Sequence, residues 1–280
     1  MTLTRLNTHT KTRLVEILKR ISGDAPIIVV VFWGLLVAFP WLVTPLDPLR
    51  LDVGSAVLPP SADHWFGTDQ YGRDVFSRCI YGLRTSLGAA LFVAVLATSF
   101  GIFVGGVAGL GVRWLDSLLM RTTDIFLAFP YLILAIALSA AIGPGIWTAI
   151  LVLSLLWWPS YARMVRGQVL SLRESSFVLG ATAVMTPWWK ILFRHLVPHM
   201  LPQLSARFSL EVGGIVIALT SLGFLGLGAQ PPGPELGVII AEGREYILTA
   251  WWISTLPGLF IIAIVVTSLF ASDWIERRLS

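Results

Sequence analysis

The chain has 280 residues, 56% of them hydrophobic and 13% charged, with a net charge of +4. Soluble domains carry about 25% charged residues, so a surface built for water is excluded. The single cysteine, Cys79, excludes a disulfide framework and a four-cysteine metal site.

The N-terminal segment 1–24 carries Lys11, Arg13, Lys19 and Arg20 ahead of an apolar run that ends at Val43. A secretory signal has a shorter apolar core and a small-residue cleavage site. Here Phe39-Pro40-Trp41 follows instead, so 25–43 is read as a retained first span. Residues 44–84 form an external region with a turning Leu58-Pro59-Pro60-Ser61. Within it, 74–84 places Val75, Phe76, Cys79, Ile80 and Leu83 on one helical stripe, with Asp74, Ser77, Arg78 and Arg84 polar. An interfacial helix on the outer surface and the first turns of the second span both fit.

A five-helix core over 85–280 follows. A spanning helix needs roughly 20 apolar residues, and 85–111, 122–142, 146–165, 201–226 and 249–272 meet or approach that length. The 122–142 span contains Pro130, and Gly143-Pro144-Gly145 joins it to its neighbour as a tight hairpin. The fold class is all-α, a polytopic membrane protein with six transmembrane helices. Cytoplasmic termini put fourteen basic residues on the inner side and five, Arg50, Arg73, Arg78, Arg84 and Arg244, on the outer. That bias sets the orientation and accounts for the positive charge without a nucleic-acid partner. The 12 Trp residues suit a chain with two lipid interfaces.

No G-x-x-x-x-G-K-[ST] phosphate loop is present, so an ATPase core of that class is absent. Gly223-Phe224-Leu225-Gly226-Leu227-Gly228 ends an apolar helix instead of joining a strand to a helix, which makes it a packing or exit segment. Gly105, Gly106, Gly109 and Gly111 read as close helix contacts. His195 and His199 have the i, i+4 spacing of metal ligands, but Pro198 lies between them and Lys190 and Arg194 flank them; no metal site is assigned. Arg207 and Glu211 are a charged pair inside an apolar span, four residues apart and able to neutralise one another. Pathway lining and structural pairing both fit them.

The loop 163–200 between the fourth and fifth spans carries Arg163, Arg166, Arg173 and Glu174. Then comes an uncharged stretch, Ser176, Phe177, Val178, Leu179, Gly180, Ala181, Thr182, Ala183, Val184 and Met185, ending at Thr186 and Pro187. Such a stretch on the cytoplasmic side calls for a protein partner to cover it. Thr186-Pro187 starts a further amphipathic piece with Trp188, Trp189, Leu192, Phe193 and Leu196 apolar. It fits a helix at the inner membrane surface.

At this loop the chain resembles the permeases of bacterial ABC importers, in the dipeptide, oligopeptide and nickel branch. Residues 62–78 contain that branch's external signature G-T-D-x-x-G-R-D as Gly67, Thr68, Asp69, Gly72, Arg73 and Asp74. Trp158-Pro159-Ser160-Tyr161-Ala162-Arg163, Phe193-Arg194-His195-Leu196-Val197-Pro198, the 221–232 segment and Pro257-Gly258 extend the match. The signature's place soon after the first span resembles the C-type subunit. The family's E-A-A-x-x-x-G coupling motif falls, counted back from Pro198, on Leu179, Gly180, Ala181 and Met185, where only Ala181 agrees. The resemblance implies a type I importer permease fold in the bacterial inner membrane, with both termini cytoplasmic. Implied partners are a second homologous permease, two ATPases that dock on 176–187, an extracytoplasmic solute-binding protein and membrane lipid. ATP and Mg would sit on the ATPases, with no cofactor on this chain and no enzymatic activity of its own. Cargo would be a peptide, or nickel or a metal–chelator complex. Spans two to five would wall the pathway. Residues 44–84 and the 229–248 loop, with Glu235, Glu242 and Glu245, would meet the binding protein. A stand-alone channel or secondary transporter would need more intramembrane charges than Arg207 and Glu211.

Overall fold

The computed structural model describes residues 26–279; the cytoplasmic segment expected at 1–24 lies outside them. Among the described residues the chain is helical, with one isolated β-bridge between Thr68 and Asp74. The first predicted span opens as α1, Pro26–Ala38, breaks at Phe39, and continues as one turn, α2, Pro40–Val43.

Helix α3, Val75–Leu110, decides between the two readings of 74–84: they are its outer turns, not a separate interfacial helix. Asp74 caps it, its side chain accepting from the Ser77 N–H at 2.7 Å, and nothing in 75–110 interrupts the backbone ladder. Its 36 residues reach about 54 Å at 1.5 Å per residue, well beyond a hydrocarbon core of about 30 Å. The outer turns are therefore available for packing outside the bilayer.

Helices α4, Arg113–Ala128, and α5, Tyr131–Ile142, meet at 89° across Phe129 and Pro130. The third span, expected over 122–142 with Pro130 inside it, is thus a bent pair that starts earlier, at Arg113. Proline disfavours helical geometry in the residue before it, and Phe129 is extended, with φ −95° and ψ 142°. Helix α6 covers Ile146–Leu172 and is followed by α7, Ser176–Ala183.

The amphipathic piece after Pro187 does not lie separately on the membrane. Helix α8, Trp188–Lys190, runs through a π-helical turn, Ile191–Leu196, into α9, Val197–Phe224. Pro198 and Pro202 both lie in this run and lack the N–H of a regular ladder. The widened turn just upstream is where the run accommodates them. A short helix α10, Leu236–Gly243, and a last one, α11, Trp252–Leu279, complete the chain.

Four of these runs are long and apolar enough to cross a membrane: Val75–Leu110, Ile146–Leu172, Trp188–Phe224 and Trp252–Leu279; the α4–α5 pair makes a fifth. The α3–α6 contact is the centre of the bundle. A Cβ on Gly101, Gly105 or Gly109 would stand 2.4–2.5 Å from Tyr161, Ala162 or Val169, so this small-residue ridge sets how closely the helices approach. Gly106 does the same against Leu192. Separate apolar clusters close the two ends, Val169, Val178, Leu192 and Leu196 at one and Val75, Cys79, Trp252 and Ile253 at the other.

Candidate functional sites: a coupling helix, a buried external signature and an intramembrane pair

The uncharged stretch 176–187 forms α7 and its exit turn. Helix α7 is anchored by Val178, which is buried against Leu192 and Leu196. Phe177 stacks on His199 with 4.6 Å between ring centroids. The other face is bare: Leu179 is 56% exposed, Val184 75% and Met185 91%. A contiguous apolar face of this kind is uncommon outside binding surfaces.

The helix ends in a Schellman motif. The Thr186 N–H donates to the Ala181 carbonyl and the Met185 N–H to the Thr182 carbonyl. Met185 is the left-handed residue, with φ 54°. That position normally takes glycine, and the count back from Pro198 puts the motif's glycine on it.

His199 Nδ1 bonds the His195 carbonyl at 2.8 Å, and no cluster of three metal-ligating side chains occurs among the described residues.

The external signature turns inward. Gly67, Thr68, Asp69, Gly72, Arg73 and Asp74 are all buried. Gly67 and Gly72 have φ of 70° and 74°. A Cβ on Gly72 would sit 1.7 Å from the Asp52 carbonyl oxygen, so the loop closes only around a bare backbone. The Thr68 hydroxyl donates to the Ser55 carbonyl and accepts from the Leu58 N–H. Asp74 also meets His64 Nδ1 at 2.9 Å.

Asp69 accepts from Arg73 Nε at 2.6 Å and Arg78 Nη1 at 2.9 Å. The same arginines donate to Glu242 Oε2 at 2.9 and 2.7 Å. Arg78 is fully buried. The expectation that Glu235 and Glu242 meet an external partner is corrected here. Glu242 is engaged by the two arginines, and Glu235 is a buried cap of α10, accepting from Ser86 Oγ at 2.7 Å and the Val238 N–H at 3.0 Å. Burial pushes the Glu235 carboxyl above its ordinary range, with the Ser86 hydroxyl and the Gly237 and Val238 N–H groups opposing. Only Glu245 of the three is exposed.

Within the spans, Arg207 and Glu211 are ion-paired as their spacing requires. Sequence reasoning missed the third member: Trp157 Nε1 donates to Glu211 Oε2 at 2.6 Å, linking α9 to α6. Across the bundle, Arg166 grips Asp116 through two bonds, tying α6 to α4.

Residues 80–280 match the family described as "Binding-protein-dependent transport system inner membrane component". The chain belongs to that family. This permease is 38% identical over 246 residues to the "Probable D,D-dipeptide transport system permease protein DdpC" of Escherichia coli K12, covering 88% of this chain and 82% of that one. It is 36% identical over 239 residues to the nickel transport system permease protein NikC of the same organism, covering 85% and 86%. Among solved structures, the inward-facing MetNI methionine ABC transporter has a TM-score of 0.59 at 21% identity, covering 72% of the permease and 96% of that chain. The fold is therefore that of ABC importer permeases, and the permease is a multi-pass inner-membrane transport subunit, not an enzyme. Its family works with a binding protein.

Proposed function

We propose that the permease forms half of the pathway of an ATP-driven peptide importer. A second homologous permease supplies the other half. Two cytoplasmic ATPases hold and hydrolyse ATP with Mg, and an external solute-binding protein delivers the cargo. Both termini face the cytoplasm. The observation that carries this reading is α7: an apolar face with Leu179 and Val184 exposed, mounted on a buried Val178 anchor. It can insert into an ATPase groove and transmit a rigid-body push to α9 through the π-helical turn. Switching between inward- and outward-facing packing then needs no nucleotide site on this chain. Peptide cargo is favoured by the named substrate of the D,D-dipeptide relative. The nickel relative supports a second reading, the same machine moving nickel or a metal chelate. Arg207 and Glu211 act as a structural pair in this scheme, since Arg207 pairs with Glu211 and Trp157 donates to the same carboxylate.

The test uses the assembled transporter in lipid vesicles with its binding protein. Leu179→Arg should reduce ATPase co-purification at least tenfold, and peptide-loaded binding protein should stimulate ATP turnover of the wild type. Undiminished association in the variant overturns the docking role, and stimulation by nickel chelates but not peptides overturns the cargo.

A further inference from the structure

Helix α10 lies antiparallel along the outer turns of α3 in a fixed register. Arg78, Gly82 and Ser86 of α3 share one face at four-residue steps. Opposite them stand Glu242, Ile239 and Glu235. Arg78 Nη2 donates to Glu242 at 2.7 Å, and Ser86 Oγ donates to Glu235 at 2.7 Å while accepting from the Leu236 N–H. Between these two polar ends the helices touch: a Cβ on Gly82 would be 3.1 Å from Ile239 Cδ1. Helix α10 is thus pinned to α3 at both ends, and Arg73 and Asp69 of the external signature share the pinning charges.

The brace is charge-balanced, with two arginines against Asp69 and Glu242. Buried charges are tolerated only when paired and hydrogen-bonded. Lifting α10 off α3 would take Glu242 away from two buried arginines at once. We propose that α10, the outer turns of α3 and the signature segment 67–74 travel as one block through the whole transport cycle, with Arg78 and Glu242 as its positioning residues. Helix α10 is then no independent flap, and the outer mouth opens at other contacts. The inference builds on the importer reading for its functional readout.

A disulfide tests it. Gly82→Cys with Ile239→Cys, in a Cys79→Ala background, removes the Ile239 side chain that a residue-82 Cβ would meet. Oxidation of the full transporter in vesicles should join the two thiols, scored by peptide mass, and leave ATP-driven uptake within twofold of the reduced sample. Uptake that falls tenfold on oxidation and returns on reduction overturns the proposal, as does failure of the thiols to join. Joining needs no cargo or partner, so its failure is distinct from a failure of the importer reading. In parallel, Glu242→Gln should lower binding-protein-stimulated ATP turnover about fivefold while basal turnover per assembled complex is kept, with Glu242→Asp recovering part of the loss. Equal loss of both turnovers, or loss of neither, overturns the positioning role.

Discussion

Met185 occupies a left-handed position with a long apolar side chain almost wholly in solvent. An L-residue there costs roughly 1–2 kcal/mol, while glycine gives back about 0.5–1 kcal/mol through the entropy it loses on ordering. Met185→Gly should therefore stabilise the α7 exit turn by about 0.5–1 kcal/mol, read as slower hydrogen exchange at the 185 and 186 amides. It should also weaken ATPase association if the side chain is part of the docking face. Faster exchange would show that the turn is not held by the backbone geometry described above. Glu235 gives a pH-dependent counterpart. Its folded pKa is raised above the usual 4.5, so the folded state binds the proton more tightly than the unfolded one. The burial penalty is absent below the ordinary pKa, grows as pH rises through the raised one, and is complete above it. Thermal stability should accordingly fall with rising pH across that window, and Glu235→Gln, which keeps a partner for Ser86 and an acceptor for Val238, should flatten the dependence. A variant with the wild-type slope would place the titration elsewhere.

At the scale of elements, close helix approach and proline bends set the bundle. Gly105→Leu would drive its side chain into the Ala162 carbonyl, 2.5 Å from the added Cβ, whereas Gly88 has nothing within 4 Å. The first substitution should separate α3 from α6 and make the purified permease sensitive to protease. Gly88→Ala should leave it resistant; equal behaviour of the two would show that the ridge does not hold the helices. Gly105, Gly106 and Gly109 were legible in the sequence because their spacing requires only one helix period, whereas Gly111, read with them, is the exposed C-cap of α3, and Gly101 was not read at all. The 89° bend between α4 and α5 was not legible, because a proline inside an apolar run fits both a kinked span and a broken one. The amphipathic pattern at 188–196 likewise fits an interfacial helix and the foot of a long span. Packing of Ile191, Leu192 and Leu196 into the cluster around Val178 decides for the latter.

For the molecule as a whole, the proposed orientation with both termini cytoplasmic has a direct check. In a Cys79→Ala background, a cysteine at Val53, 81% exposed, should react with a membrane-impermeant maleimide on intact cells. One at Glu174, whose side chain is 79% exposed and lies outside the docking stretch 176–187, should react only after permeabilisation. The reverse pattern would invert the topology.

The sequence by itself determined the membrane class and the family, since these depend on apolar run lengths and motif order. It also placed Arg207 beside Glu211, a pairing fixed by helical period alone. Only the tertiary structure decided where the charges of the external signature go. Asp69, Arg73 and Arg78 could equally have faced an external partner, and what turns them inward is Glu242, 164 residues beyond Arg78. A contact across that separation leaves no local periodicity to read. The same holds for the uncharged α7: its sequence shows a surface in need of cover, and the fold divides it into a Val178 anchor and an exposed face that ends in a left-handed turn at Met185.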